Sequence, residues 1–197
     1  MKRLFSVAVV FISLQAHAAG WEESPEVSEL FKKSDVNGTF VLFDATAQRV
    51  VGHNQSRANT RFVPASTFMI PHTRGHHFVQ RSHLSGIGPA HRLGEYSQAY
   101  FEARFREWEC RRQLPFPEQH QKIVQEIVLL EKGKDWTLHA KTGWENAPDP
   151  GVGWWVGWVQ KAGRVYAFAL NMDIHQASDA NKRIELGKAC LNALGVL

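Results

Sequence analysis

The chain has 197 residues, with 23 lysines and arginines against 19 aspartates and glutamates, and a formal net charge of +4 at pH 7. A charge this small, without a polybasic tract, does not indicate nucleic acid or an anionic membrane as a partner. The length suits one domain with its own core. No apolar stretch beyond the N-terminus reaches the ~20 residues that a transmembrane helix needs.

The N-terminus has the pattern of a signal peptide. Lys2 and Arg3 precede an apolar run from Leu4 to Leu14, and Ala16-His17-Ala18 forms an A-x-A cleavage site. We therefore predict a signal peptide over residues 1–18, export to the periplasm, and a single domain over residues 19–197. A core helix at the N-terminus is the alternative. Cleavage removes two positive charges and no negative ones, so the net charge falls from +4 to +2.

The first part of the mature chain predicts a helix and a hairpin. Ser24 to Lys33 has the spaced apolar positions of a short helix. Gly38–Ala45 and Gln48–Asn54 are rich in β-branched and aromatic residues and are separated by a short turn. These two segments predict paired strands.

The last part, from Leu114 to Leu197, predicts a helix, three strands and a final helix. Pro117 suits a helix start, and Ile123, Ile127 and Leu130 recur at helical spacing before Gly133. The strand candidates are Trp136–Gly143, Val152–Gln160 and Arg164–Asp173, with a turn at Lys161-Ala162-Gly163; the last two are apolar on both faces, as in central strands. The final helix is capped at Ser178 or Asp179, ends at Gly195, and presents one face formed by Ala180, Ile184, Leu191 and Leu194. This order of elements predicts an α+β fold, with an antiparallel sheet flanked by N- and C-terminal helices.

The segment between these parts, residues 72–112, is atypical. It holds five of the ten histidines, and its apolar residues follow neither a strand nor a helix period before about Tyr96–Trp108. We predict that this segment is poorly ordered and contributes little to the core. His72 and His76 could hold a metal if they were helical, but Gly75 lies between them and no cysteine or acidic ligand is near. An aperiodic loop is the preferred interpretation, so no metal is expected.

Cys110 and Cys190 are the only cysteines. An exported protein could join them in a disulfide, but spacing alone cannot pair two thiols. We interpret them as incidental.

Two short motifs carry candidate chemistry. In Pro-Ala-Ser-Thr, Ser66 opens a helix whose N–H groups could stabilise an anion formed by nucleophilic attack, although a helix cap is an equally ordinary role. Lys141-Thr142-Gly143 ends a predicted strand. In serine enzymes that act on penicillins, a K-T-G strand lines the site beside the nucleophile, although a strand ending in a turn needs no function.

The sequence around these motifs resembles one family. The segments RFVPASTF, LPFPEQHQ, LHAKTGWE, GWWVGWVQ, FALNMDI and KRIELGKACLNALG occur in this order and resemble the class D, oxacillinase-type serine β-lactamases. The resemblance covers roughly residues 20–71 and 113–197. It implies the serine β-lactamase/DD-peptidase-like fold, with a truncated helical subdomain.

The resemblance also implies roles for particular residues. Family members open a β-lactam amide by attack of the motif serine, here Ser66, and hydrolyse the acyl-enzyme with water. Lys141 and Thr142 match the pair that contacts the substrate carboxylate region. The amides of Ser66 and Trp144 match the oxyanion hole. Arg183 matches a carboxylate-binding arginine, with a solvated helix charge as the alternative.

The chain departs from the family at the fourth position of S-x-x-K, where Met69 replaces the lysine. In the family that lysine carries CO₂ as a carbamate and acts as the general base. A thioether neither forms a carbamate nor takes up a proton at neutral pH, so no cofactor is expected. Loss of a general base typically costs ~10²–10⁴-fold in rate.

The second departure is length. Ser66 and Lys141 are only 75 positions apart, and the family's S-x-V serine, Y-G-N turn and Ω-loop tryptophan are missing between Ile70 and Leu114. A deletion with out-of-frame translation across the join would give this pattern.

The functional prediction is therefore a class D β-lactamase homologue with β-lactams as small-molecule partners and impaired hydrolysis. The alternatives are a penicillin-binding remnant that does not hydrolyse its ligand, and an inactive gene fragment. The oligomeric state cannot be read from the sequence.

Overall fold

The computed structural model describes residues 20–67, 99–114, 117–146 and 149–197. The predicted signal peptide, Met69 and residues 72–98 lie outside these ranges, so the predictions made for them stay predictions. The described part contains one seven-stranded sheet with the order β1-β3-β2-β7-β6-β5-β4. All neighbouring strands are antiparallel except β1 and β3.

The strands are β1 Trp21–Glu23, β2 Gly38–Asp44, β3 Arg49–His53, β4 Leu129–Lys132, β5 Trp136–Glu145, β6 Gly151–Lys161 and β7 Arg164–Ile174. The helices are α1 Pro25–Lys33, α2 Gln55–Ala58, α3 Ala99–Cys110, α4 Glu118–Ile127 and α5 Lys182–Ala193, and a 3₁₀ turn at Ala177–Asn181 precedes α5. The predicted α+β class and the antiparallel sheet are confirmed. None of the described helices is long and apolar enough to cross a membrane.

Local sequence explains most of these elements. The hydroxyl of Ser24 accepts a hydrogen bond from the Val27 N–H and caps α1. β2 and β3 form the predicted hairpin. Between β6 and β7, Ala162 and Gly163 both have positive φ, as a two-residue turn with the twist of a hairpin requires.

The sheet separates two apolar layers. On its first face, α1 and α5 cover large side chains of the central strands; this cluster includes Phe31, Phe40, Trp155, Phe168, Leu186, Cys190 and Leu191. On its second face, α3 packs on β2, β6 and β7. The clusters on the second face include Val41, Phe43, Ala99, Ala103, Cys110, Trp154, Val156 and Trp158.

The helix predicted from Pro117 to Gly133 ends early. α4 stops at Ile127, and Leu129–Lys132 forms edge strand β4. Ile123, Ile127 and Leu130 are 41%, 71% and 50% exposed, so their helical spacing does not mark a buried face.

The expectation for residues 72–112 is wrong in its described part. Residues 99–110 form α3, and Ala99 and Ala103 are buried against the sheet. The buried polar residues of this helix are Arg106, Glu107 and Glu109. The weak period noted over about Tyr96–Trp108 coincides with this helix, but buried charges among its apolar residues gave no clear apolar face from which to predict its burial.

The final helix differs in its start and in its buried face. Gln176 is the N-cap of the 3₁₀ turn, and the carboxylate of Asp179 accepts from the N–H groups of His175 and Gln176. The prediction that Ser178 or Asp179 is the N-cap is therefore wrong. The buried residues of α5 are Arg183, Leu186, Gly187, Cys190 and Leu191.

Both cysteines are free and buried. Cys110 belongs to a cluster on the second face and Cys190 to the cluster on the first face, so the sheet separates them. Burial raises the pKa of each thiol to about 12.

Candidate active site

Ser66 lies in residues 65–67, which have 3₁₀ geometry. The N–H and the hydroxyl of Thr67 both donate to the Pro64 carbonyl, at 3.3 and 2.6 Å. Ala65 has a positive φ of 51°, a conformation that costs energy for any residue with a side chain and that often occurs at functional sites. Ser66 itself is half-buried, while Thr67 is fully buried.

The segment that leads to Ser66 is tied to the second face of the sheet. The indole N–H of Trp154 donates to the Val63 carbonyl at 2.8 Å. The Phe62 ring meets the Trp154 ring edge-on, and the Arg57 guanidinium lies 4.6 Å from the centre of the Phe62 ring. Arg57 in turn forms an ion pair with Asp173 at 2.6 Å. These contacts fix the direction from which the chain enters the Ser66 turn.

The K-T-G strand lies directly against this turn. A Cβ atom added to Gly143 would lie 2.9 Å from the Thr67 methyl carbon and 3.0 Å from the Pro64 carbonyl oxygen. Any side chain at this position would therefore push β5 away from the residues that flank Ser66. The structure thus brings the two motifs together, although they are far apart in sequence.

Lys141 and Arg183 give this region its positive charge. The Lys141 ammonium donates to the Thr142 carbonyl at 2.6 Å. Burial lowers the pKa of Lys141, and the positive charges of Arg183 and Arg106 lower it further. Like charges gathered in a partly buried site create a strong local attraction for an anionic ligand.

Arg183 is buried and points into the site. It is 9% exposed, and its Nη1 donates to the Gly143 carbonyl at 2.7 Å. Burial lowers the pKa of its guanidinium. Its Nε atom has no hydrogen-bond partner among the described residues. The alternative of a solvated helix charge is therefore wrong.

The outer edge of β5 near Ser66 is paired over only part of its length in the described ranges. β4 pairs with Thr137–His139, and the Ala140 N–H donates to the Val128 carbonyl at 2.9 Å. No strand within the described ranges pairs with the outer edge of β5 beyond this point. N–H groups alternate sides along a strand, so the Trp144 N–H faces the same outer edge as that of Ala140. The Trp144 side chain is 40% exposed there.

A buried ion pair that the sequence did not indicate lies on the other side of the Ser66 turn. Arg106 Nη1 contacts Glu109 Oε2 at 2.6 Å, and Arg106 Nη2 donates to the Thr67 carbonyl at 3.2 Å. Their spacing of three residues was the one signal available, since it places two side chains on the same side of a helix.

The residues do not fit the carbamate that the resemblance implies, because the thioether of Met69 cannot bind CO₂. Within the described ranges no group of three or more His, Cys, Asp or Glu residues could hold a metal ion. His72 and His76 lie outside those ranges.

Residues 94–192, half of the chain, match the model of the penicillin-binding protein transpeptidase domain, so the chain belongs to this family. Within the family it is a homologue of the class D β-lactamases. It is 27% identical to β-lactamase OXA-20 of Pseudomonas aeruginosa, covering 98% of this chain and 96% of the relative. It is 25% identical to β-lactamase OXA-48 of Klebsiella pneumoniae, covering 97% and 96%.

Solved structures confirm the fold. The class D β-lactamase FUS-1 (OXA-85) of Fusobacterium nucleatum superposes with a TM-score of 0.76 at 23% identity, covering 89% of this chain and all of that chain. YbXI, a class D β-lactamase from Nostoc, gives 0.73 at 23% identity, covering 87% and 99%. The serine β-lactamase/DD-peptidase-like fold predicted from the resemblance is confirmed.

The alignment also shows that this chain is shorter than its relatives, as the short distance between Ser66 and Lys141 indicated. The alignment with OXA-20 runs over 260 positions, whereas this chain has 197 residues, so at least 63 positions have no counterpart here. The chain therefore matches 96% of the length of that relative while lacking residues within the alignment.

Proposed function

We propose that this chain opens the amide bond of β-lactams through Ser66, and that its hydrolysis of the resulting acyl-enzyme is impaired. The observation that carries this proposal is the contact between Gly143 and the residues that flank Ser66. That contact sets a serine turn, a strand edge that no described strand covers, the partly buried Lys141 and the buried Arg183 side by side. Such a combination suits attack on an amide that bears a nearby carboxylate.

The chain's own groups suggest the acylation step. The Ser66 oxygen attacks the β-lactam carbonyl carbon, the C–N bond of the ring breaks, and the serine proton ends on the ring nitrogen. The N–H groups of Ser66 and Trp144 stabilise the oxyanion. Lys141, Thr142 and Arg183 hold the ligand's carboxylate.

Removing the serine proton and activating water for deacylation both need a base. Met69 cannot serve as that base, and the guanidinium groups of Arg106 and Arg183 stay protonated. Loss of a general base costs ~10²–10⁴-fold. We therefore propose that both steps are slow and that deacylation is the slower one.

A non-hydrolysing penicillin-binding protein is the second candidate function. The match to the penicillin-binding transpeptidase model and the missing base both favour it. A protein of this kind would keep the acyl group on Ser66 without turnover.

The test combines nitrocefin turnover with intact-protein mass spectrometry. We expect a β-lactam adduct on the purified protein that forms slowly and persists, and none on the Ser66→Ala variant. Turnover in the ordinary range of roughly 1–10³ per second would contradict the impaired site. Neither adduct nor turnover would overturn both candidate functions and leave an inactive fragment.

We further propose that the mature protein is periplasmic. The basic residues, apolar run and A-x-A site of residues 1–18 support this localisation. Mass spectrometry of periplasmic extract should give Ala19 as the first residue. A mature protein that still begins at Met1 would contradict the proposal.

A further inference from the structure

The ion pair of α3 lies beneath the Ser66 turn. Arg106 and Glu109 are only 1% and 3% exposed. Burying two charges is costly, and replacing such a pair by apolar residues is often neutral or stabilising, so a buried pair by itself does not account for stability. The contacts that the pair makes therefore need a separate explanation.

Arg106 satisfies a carbonyl group that an α-helix could not satisfy here. Its Nη2 donates to the carbonyl of Thr67, the residue immediately after Ser66, at 3.2 Å. In an α-helix that carbonyl would accept from the N–H four residues on, but position 71 is proline, which has no N–H, so only the poorer bond of a 3₁₀ turn is possible within the local chain. A buried carbonyl without a donor would cost free energy. The guanidinium supplies the donor from another helix.

Thr67 is thereby held from two sides. The Gly143 backbone lies against its methyl group and its nitrogen, and Arg106 holds its carbonyl oxygen. Glu109 orients the guanidinium through the contact at 2.6 Å. A turn fixed between β5 and α3 gives the neighbouring Ser66 hydroxyl little freedom to move.

We propose that Arg106, oriented by Glu109, is a positioning residue for the Ser66 nucleophile, an inference that rests on the proposed function. It acts through the Thr67 carbonyl and takes no proton, because a guanidinium stays charged in proteins. It therefore aids attack on the β-lactam without replacing the missing base. A displacement of about 1 Å at a reacting group can cost ~10²-fold in rate, which sets the scale of the effect.

The test replaces the whole pair, so that no lone charge stays buried. In Arg106→Met/Glu109→Met, two apolar side chains replace the ion pair. The matched control is Glu107→Met/Arg111→Met, which removes the ion pair, joined at 3.0 Å, between α3 and the residue that follows it. Arg106→Lys keeps the charge but loses the fork that reaches Glu109 and the Thr67 carbonyl together, and should retain part of the rate that the double variant loses.

The first readout is the rate of Ser66 acylation by a fluorescent penicillin, measured over a range of penicillin concentrations. The concentration dependence gives two quantities: the affinity for the ligand before reaction and the limiting acylation rate. We expect the Arg106→Met/Glu109→Met variant to lose about tenfold to hundredfold in the limiting rate, with affinity unchanged. The control pair should stay within twofold of the parent. If both double variants lose rate equally, in step with their melting temperatures, the role is structural and the proposal is overturned.

The second readout is amide hydrogen exchange of the peptide 62–67, which does not depend on β-lactam reactivity. We expect exchange to rise about tenfold in Arg106→Met/Glu109→Met and to stay unchanged in the control. Unchanged exchange in both variants would overturn the positioning role, whatever the acylation rates. A parent protein that penicillin does not acylate would instead overturn the proposed function, and exchange would still decide whether Arg106 holds the turn.

Discussion

The two faces of the sheet are covered by helices with different kinds of side chain. The first face is closed by α1 and α5 over a continuous layer of large apolar side chains, and Gly187 lets α5 approach the Trp155 ring closely. The second face is covered by the alanines of α3 and by buried charges. Ser66 and Lys141 lie on this second face.

We infer from this difference that the first face mainly determines the stability of the fold and the second face the reactivity of Ser66. Both faces bury large apolar side chains, but the cluster under α1 and α5 is larger than either cluster on the second face. The first face should therefore contribute more to the free energy of unfolding. The second face also uses hydrogen bonds and ion pairs to hold a serine turn in place. Mutations on the first face should therefore change stability, and mutations on the second face should change reactivity at smaller cost in stability.

The largest effect should come from Trp155→Ala on the first face. Trp155 is 1% exposed, and its removal leaves a cavity between the sheet and α5. We expect a loss of about 3–5 kcal/mol in the free energy of unfolding, measured by urea titration. A loss below about 1 kcal/mol would mean that this layer is not the main source of stability.

The next largest effect is a pH dependence of the free energy of unfolding, caused by His139 on the second face. Burial, with a smaller contribution from Lys132, lowers the pKa of His139 from 6.5 to about 4. The unfolded chain takes up a proton at this residue near pH 6.5 and the folded chain only near pH 4, so stability falls as the pH falls between these values. The loss should reach about 2 kcal/mol at pH 5.

In the parent, the imidazole of His139 stacks on the Trp158 ring with 4.7 Å between the ring centres. The variant His139→Phe keeps an aromatic ring at this position but removes the titrating group. This variant should lose less stability than the parent between pH 7 and pH 5, as measured by thermal or urea unfolding. Identical pH profiles for the two proteins would contradict the lowered pKa.

A smaller change in stability, with a clear change in reactivity, is expected for Trp154→Phe. The ring is kept but the hydrogen bond from its indole to the Val63 carbonyl is lost. We expect about 1 kcal/mol of destabilisation and a slower acylation of Ser66 by penicillin. Trp155→Phe, on the other face, serves as the control and should not slow acylation in the folded protein.

The smallest effect is expected from Met69→Lys, as a limited rise in the rate of nitrocefin turnover. This variant restores one missing group, but the S-x-V serine and the Ω-loop tryptophan of the family are still missing. Nitrocefin turnover should rise to no more than a small fraction of the ordinary enzymatic range. Full recovery would mean that the described site already contains everything else that turnover needs.

The strands and the helices that face the first layer were predictable because their burial is periodic. β5, β6 and β7 lie within two residues of their predicted ends, and α1 begins one residue after Ser24, the predicted start of that helix. The pattern failed at β4, since Leu130 continued the helical spacing of Ile123 and Ile127 although all three are exposed. Spacing alone cannot distinguish a buried face from exposed apolar residues.

The site was predictable only in its family motifs. Ser66, Lys141, Gly143 and Arg183 come together because the two motifs and the last helix meet at one edge of β5. Arg106 was missed because its contact with Thr67 spans 39 positions and its type is that of a surface residue. The proline at position 71 was the one clue, since it denies the Thr67 carbonyl the donor that an α-helix would supply.

The placement of the two cysteines makes them chemical markers of unfolding. Cys110 and Cys190 lie on opposite sides of the sheet, and a disulfide requires Cα atoms within about 7 Å. The native chain therefore cannot join them, and thiols with a pKa of about 12 react slowly while they stay buried. A Cys110–Cys190 crosslink found in a sample would be a covalent record that the molecule had unfolded. Alkylation at one cysteine before the other would reveal which helix had lifted from the sheet first.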